Sequence, residues 1–375
     1  MRLYKMELYK LCHKKLLIIG TACIMAIMLF FFAMKVSEEW SCVDGVTYTG
    51  YQAVQVNRQI TEEFKGVITD EKVEKIVKRY GLPKQVIYDY GGFRDANFLT
   101  AWVTEYLTDA YLHDWDDYKA PTCVYPLADT QLGEVMRGID GDILLEYSNG
   151  WAVFLDFMQI GLLLGSILTI FGVSTVFAGE GQRKMLPLLF TTPHGKRKDI
   201  FAKMAAAFSV SVGIWLGIVA LDFILCGVVF GFDGWNCVIG TTKIEFLDPA
   251  RSITLLKAGD FIVIALLYSL LGALLLCAET ICISACFKSS FQAVVGAAIC
   301  WGAPILAWLF TVFSRFWLLG MITWLYRYAS PIYLQMYQSF YDMYHVRHYV
   351  QTIAVVLFVC CMVQAYRKYK RQQDM

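Results

Sequence analysis

Charge is scarce in this chain, and the motifs of self-contained chemistry are missing from it. Only 17% of its 375 residues are charged, against 57% that are hydrophobic, whereas soluble domains average about 25% charged. No G-x-x-x-x-G-K-[ST] loop is present. Lys196 follows Gly195, but position 190 is Phe190 and position 197 is Arg197, so the chain lacks the backbone cradle that holds nucleotide phosphates. It has no H-E-x-x-H and no Gly-x-Ser-x-Gly, and its closely spaced cysteines, Cys277, Cys282 and Cys286, lie in an apolar run. An intramembrane hydrolase and a structural zinc site therefore find no support. Neither an internal repeat nor a low-complexity linker interrupts the chain.

Long apolar sequence is what the chain has in quantity. Leu16–Met34, Trp151–Ala178, Met204–Phe230, Phe261–Phe287, Phe291–Phe313 and Tyr349–Tyr366 each approach the roughly 20 residues needed to cross a hydrocarbon core about 30 Å thick. Six such runs predict an all-α polytopic membrane protein with six transmembrane helices. Basic residues orient it. Arg2, Lys5, Lys10, Lys14 and Lys15 precede the first run; Arg183, Lys184, Lys196, Arg197, Lys198 and Lys203 follow the second; Arg367, Lys368, Lys370 and Arg371 end the chain. An even number of crossings places all three clusters, and both termini, in the cytoplasm. The first run is too long for the roughly 7–15-residue core of a signal peptide and lacks a cleavage site after Met34, so it reads as a retained anchor.

The organisation follows. Residues 1–15 form an amphipathic interfacial helix, with Met1, Tyr4, Leu8 and Leu11 on one face. Residues 16–34 are the first span, and residues 35–150 are an extracellular domain, too long for a connecting loop. Residues 151–366 hold spans two to six, with a cytoplasmic loop at 179–203, and residues 367–375 are a cytoplasmic tail. The outer domain is acidic on balance, through Asp114, Asp116, Asp117, Asp140 and Asp142 among others. That is either an ordinary solvated surface or an attractant for cationic peptides or metal ions. It reads as mainly helical. Thr69 caps a helix that Gly81 and Pro83 end, 57–64 and 95–112 are further helices, and Tyr88–Gly92 is a turn. Residues 314–348, with Pro331, Arg315 and Arg327, predict a broken interfacial or re-entrant structure rather than a seventh span.

Most cysteines lie in spans, where they behave as small hydrophobes. Cys42 and Cys123 lie outside and are the candidate disulfide; closing so long a loop contributes on the order of 4 kcal/mol at best. Asp222 and Glu279 are the intramembrane acids. They either line a path or interface, or sit protonated and locally hydrogen-bonded. Gly161 and Gly165 allow close helix approach.

The basic loop carries the most order: Glu180, the Leu188–Leu189 pair, Thr191-Thr192-Pro193, Arg197 and Lys203. A loop that only anchors the chain needs lysines but not this arrangement. In it the chain resembles the permease subunits of the type-2 ATP-binding-cassette exporter family, whose loop runs acid, leucine pair, Thr/Ser-x-Pro turn, Arg and Lys. Glu7-Leu8-Tyr9-Lys10 matches the family's amino-terminal Glu-Leu-x-Lys, and the enlarged first outer loop resembles the branch with an extracellular domain there. Two features depart from the pattern: Arg183 and Lys184 stand where a glycine is usual, and Pro187 interrupts the loop's helix.

The resemblance implies that Glu7, Lys10, Glu180, Leu188, Leu189, Thr191, Thr192, Pro193, Arg197 and Lys203 couple the chain to a separate ATPase subunit. ATP and Mg bind that partner, this chain binds no cofactor, and a second permease chain, identical or different, completes the pathway. Membrane lipids are expected partners and nucleic acid is not. The implied function is ATP-driven export or extraction of a hydrophobic or amphipathic peptide or lipid across a bacterial plasma membrane. The alternative is a transducer that senses through its outer domain without transport.

Overall fold

A computed structural model describes residues 2–87, 92–110, 119–139, 141–182, 197–242, 255–313, 317–337 and 347–374. Helix dominates. Among the described residues, five helices are long and apolar enough to cross a membrane: Lys15–Glu38, Asn149–Glu180 (counted across a one-residue turn at Ser174), Arg197–Val229, Ala258–Cys286 and Arg347–Arg371. The remaining expected run is helical over Ser290–Phe313 with Pro304 inside it, but its apolar part among the described residues, Ser290–Leu306, is shorter than the other five. The chain divides into two compact units. One comprises Met1–Met28, Met158–Leu221 and Ile264–Met375; the other comprises Leu29–Phe157 and Asp222–Val263.

The unit that contains residues 35–150 is mainly helical, with three two-stranded antiparallel ribbons among the described residues. The first pairs β1 (Trp40–Val43) with β2 (Val46–Thr49). Asp44 and Gly45 connect them, both at positive φ (52° and 77°), the conformation a two-residue hairpin loop needs to match strand twist. Helix α3 (Tyr51–Glu63) packs on this ribbon. The short strands β3 (Gly66–Val67) and β6 (Leu144–Leu145) pair with each other. Between them lie α4 (Asp70–Tyr80), the paired strands β4 (Val86–Ile87) and β5 (Gly92–Phe93), α5 (Phe98–Leu107) and α6 (Gln131–Ile139). Thr69 caps α4 by accepting the Lys72 N–H, and Gly81 ends it at positive φ, as its sequence predicts. The expected helix at 95–112 is shorter because Asn97 and Thr100 form a reciprocal capping box that starts it at Phe98. The turn expected at Tyr88–Gly92 lies mostly outside the described residues.

Two buried asparagines join these pieces. Asn57 on α3 donates to the Trp40 carbonyl (3.3 Å) and accepts the Phe98 N–H (3.0 Å). Asn97 donates to the Cys42 carbonyl (3.2 Å) while capping α5. The shorter connection after Val229 is held to the same body. Trp102 donates its indole N–H to the Thr241 carbonyl at 3.1 Å, Glu146 accepts the Gly234 N–H at 2.7 Å, and Arg58 pairs with Asp233 at 3.3 Å. Trp151 stacks on Phe232 (4.1 Å between centroids), which stacks on Phe223 (4.5 Å).

Cys42 and Cys123, the candidate disulfide, are unbonded in this structure. Each is tied to a different part of the unit: Cys42 N–H donates to Ala96 O, and Cys123 N–H donates to Asp109 Oδ1 at 3.1 Å. Three donors from Thr122 and Cys123, the Thr122 hydroxyl foremost, hold the Asp109 carboxyl well below the usual range.

In the other unit, α1 (Arg2–Cys12) leads into α2 (Lys15–Glu38). On α1, Leu11 is buried while Lys5, Met6, Tyr9 and Lys10 are exposed, as an amphipathic helix requires. The long helices α7 (Asn149–Val173), α9 (Arg197–Val229) and α10 (Ala258–Cys286) enter this unit, with α8 (Thr175–Gln182) following α7. Gly161 and Gly165 take the expected close approach: a side chain on either would meet Ile218 of α9 within 2.5 Å. Helix α11 (Ser290–Phe313) packs on α8 and on α12 (Trp317–Tyr328). The segment expected to be broken is so: α12 gives way to the short helix α13 (Pro331–Gln335), whose Gln335 accepts the Ser166 hydroxyl at 2.5 Å. Arg327 lies over the rings of Tyr333 (4.4 Å) and Tyr328 (5.2 Å).

The last helix, α14 (Arg347–Asp374), runs unbroken past residue 367 and buries Tyr369.

The thiols supply a test of this fold. Cys123 is exposed, whereas burial pushes the Cys237 thiol up to about 12. Unreduced protein at pH 8 is expected to take up maleimide at Cys123 within minutes and at Cys237 only after unfolding, read by peptide mass spectrometry. Cys123 labelled only after reduction would restore the disulfide.

Candidate functional site

Hydropathy treats residues 151–178 as one span, but the helix breaks at Ser174. A break inside packed helices exposes backbone donors and acceptors that need partners. The Ser284 hydroxyl of α10 accepts the N–H groups of Phe177 (3.0 Å) and Ala178 (3.1 Å) and donates to the Ser174 carbonyl at 2.6 Å. From the other side, Lys14 donates to the Gly172 carbonyl at 3.0 Å and to the Thr175 hydroxyl. A cation suits the carbonyl end of α7. The result is a separate short helix, α8, with Glu180 near its end.

Glu180 faces a buried lysine. Lys203, on the first turns of α9, is 1% exposed, and its ammonium lies 2.6 Å from Glu180. It also pairs with Asp199, one helical turn earlier and 3% exposed. Tyr369 of α14 donates its hydroxyl to Glu180 at 2.6 Å, and the Lys203 ammonium lies 5.6 Å from the centre of its ring. Phe177 packs against that ring at 4.4 Å. Residues on α8, α9 and α14 thus meet at one ammonium. Isolated burial of a charge is prohibitive; here two carboxylates neutralise it, and a phenol satisfies the remaining acceptor capacity of one of them.

Two of the loop residues singled out by sequence, Glu180 and Lys203, come together in this cluster. Arg197 is exposed and donates to the Tyr366 hydroxyl at 3.2 Å, so it also reaches α14. Leu188, Leu189, Thr191, Thr192 and Pro193 lie outside the described residues. Glu7 and Lys10 pair with each other on α1 at 2.5 Å. Asp222 is fully buried and accepts the Cys226 thiol at 3.5 Å; its second oxygen has no hydrogen-bond partner among the described residues. Glu279 belongs to the other unit, with the Cys300 thiol 4.0 Å away.

Sequence reasoning missed Asp199, Ser284 and Tyr369. Asp199 was legible as an acid four residues before Lys203 on one helix face. Among the described residues, no group of three His, Cys, Asp or Glu is placed to hold a metal ion. No family model, curated protein or solved structure matches the chain.

Chemically, the cluster is closed on itself: cation, carboxylates and phenol satisfy one another, and it acts as a clamp. Its burial makes it costly to break. Lys203→Met leaves two carboxylates without their cation and is expected to cost about 3–5 kcal/mol. Tyr369→Phe, losing one hydrogen bond to a charged group, is expected to cost about 1.5–3 kcal/mol. Thermal unfolding in mild detergent ranks the two; a wild-type transition in Lys203→Met would refute the clamp.

Proposed function

We propose that the chain is the permease subunit of an ATP-driven transporter resembling the type-2 ATP-binding-cassette exporters. In this reading it crosses a bacterial plasma membrane six times with both termini inside. A separate ATPase binds ATP and Mg, and a second permease chain completes the path for a hydrophobic or amphipathic peptide or lipid. The observation that carries the reading is the clamp at the base of the basic loop. Glu180, partly buried, lies just before residues 183–196, and Asp199 and Lys203, both buried, lie just after them. A force applied to a loop with free ends is absorbed by the loop. With both ends locked through one ammonium to α8, α9 and α14, it is delivered to the helices. That is what a coupling element needs.

The transducer alternative has its own support. Trp151 and Phe223, on helices long and apolar enough to span, stack on Phe232 in the unit that holds the folded domain. A ligand bound there would act directly on helix ends. Substrate-stimulated ATP turnover separates the two: stimulation by a transported peptide or lipid supports the permease, and stimulation only by a soluble outer partner supports the transducer.

Coupling itself is tested in the loop. Glu180→Gln, and separately Leu188→Ala with Leu189→Ala, are expected to lower permease-dependent ATPase activity at least about ten-fold, equivalent to about 1.4 kcal/mol, with membrane insertion unchanged. Full activity in both variants would refute the coupling role.

A further inference from the structure

An apolar groove of about 660 Å³ opens between α1, α2 and α9. It runs from Leu17 to Met28 along α2 and from Ser209 to Leu221 along α9, with Leu168 behind and Leu8 and Cys12 of α1 as its floor. At about 1.5 Å of rise per residue its length is about 17 Å, close to half of a hydrocarbon core about 30 Å thick. A groove of that length, volume and apolar lining accommodates an extended hydrocarbon chain.

The walls select for such a chain. Gly213 and Gly217 open the α9 side: a side-chain carbon on either would meet no atom within 4 Å. The hydroxyls of Thr21 and Ser209 in the lining are already engaged, Thr21 with the Leu17 carbonyl (2.8 Å) and Ser209 with the Ala205 carbonyl (2.9 Å). Ser209 also bonds Tyr4 at 2.8 Å, which pins α1 across the end of the groove. Two exposed lysines accompany the α1 and α2 parts of the lining. Lys5 lies three residues before Leu8, and Lys15 three before Ile18, each sharing a helix face with a groove residue. Glu7, the only acid between Met1 and Met34, is held by Lys10.

We infer that this groove is a resident lipid site, taking one acyl chain of an anionic phospholipid whose headgroup lies at Lys5 and Lys15. The site is separate from the clamp and does not depend on the transport reading. A lipid seated there fills the space between α2 and α9 and fastens α1 to the bilayer, since a basic surface near an anionic leaflet gains about 1 kcal/mol per Lys or Arg.

Native mass spectrometry of the full chain, after exhaustive detergent exchange, tests it. The wild type is expected to retain one phospholipid, enriched in anionic headgroups. Gly213→Trp and Gly217→Leu, which fill the slot, are expected to retain at least ten-fold less. Lys5→Glu with Lys15→Glu is expected to abolish the anionic preference. No retained phospholipid in the wild type, equal retention in the filled variants, or a retained second copy that the filled variants lose would each overturn the proposal. A preference unchanged in the lysine variant would overturn the headgroup assignment. Cys12 on the groove floor gives a reading without slot-filling variants. Its maleimide labelling in the wild type is expected to speed up several-fold on delipidation and slow again when anionic phospholipid returns. An unchanged rate would count against the site.

Discussion

A single ammonium, that of Lys203, sets the constraint around which one end of this molecule is arranged. It is 1% exposed, so it requires carboxylates at contact distance, and those carboxylates must be brought from elsewhere. Asp199 comes without effort, one turn earlier on α9. Glu180 comes only because α7 stops at Ser174 and α8 starts anew, and that break is tolerated because Ser284 and Lys14 satisfy the backbone groups it frees. Tyr369 comes because α14 does not end where its apolar run ends. An ion pair of this kind is weak evidence for stability, since an apolar replacement of the whole cluster often serves as well. What it does enforce is register: α8, α9 and α14 can meet in one way without leaving a charge alone.

The dependence on the break gives Lys14 and Ser284 a meaning that hydropathy does not reveal. By composition Lys14 is one more positive charge in a topology-setting flank, and Ser284 is one more small polar residue in an apolar helix. In the fold, one closes the carbonyl end of α7 and the other opens the amide end of α8. Residues that repair a helix break are as necessary to the clamp as the charges it holds.

Much of the fold was legible because its signals are local. Apolar length marked the long helices, Thr69 and Gly81 marked the ends of α4, and the spacing of Tyr4, Leu8 and Leu11 marked the covered face of α1. Glu180 and Lys203 were legible as loop residues but not as a pair, since 22 residues separate them in the chain. The break at Ser174 was hidden because an apolar run looks the same whether or not its helix is continuous. The paired strands were missed for a different reason: Asp44-Gly45 is a hairpin signal, but it sits in a segment whose other cues are helical. The disulfide was a candidate by location alone, and location does not establish whether two thiols face each other. Pro304 shortens no helix, yet the run that contains it is the least clear of the six.

The functional reading joins the clamp to the basic loop it closes. Its central claim is that this loop receives work from an ATPase carried on another chain. Affinity purification of the tagged chain from its native membrane in mild detergent, with identification of everything that co-purifies in fixed proportion, tests that claim most directly. The account predicts a stoichiometric ATPase subunit bound through the loop side. A chain that repeatedly comes out with no ATPase would contradict it, and the clamp would then be a device for fixing helix register alone.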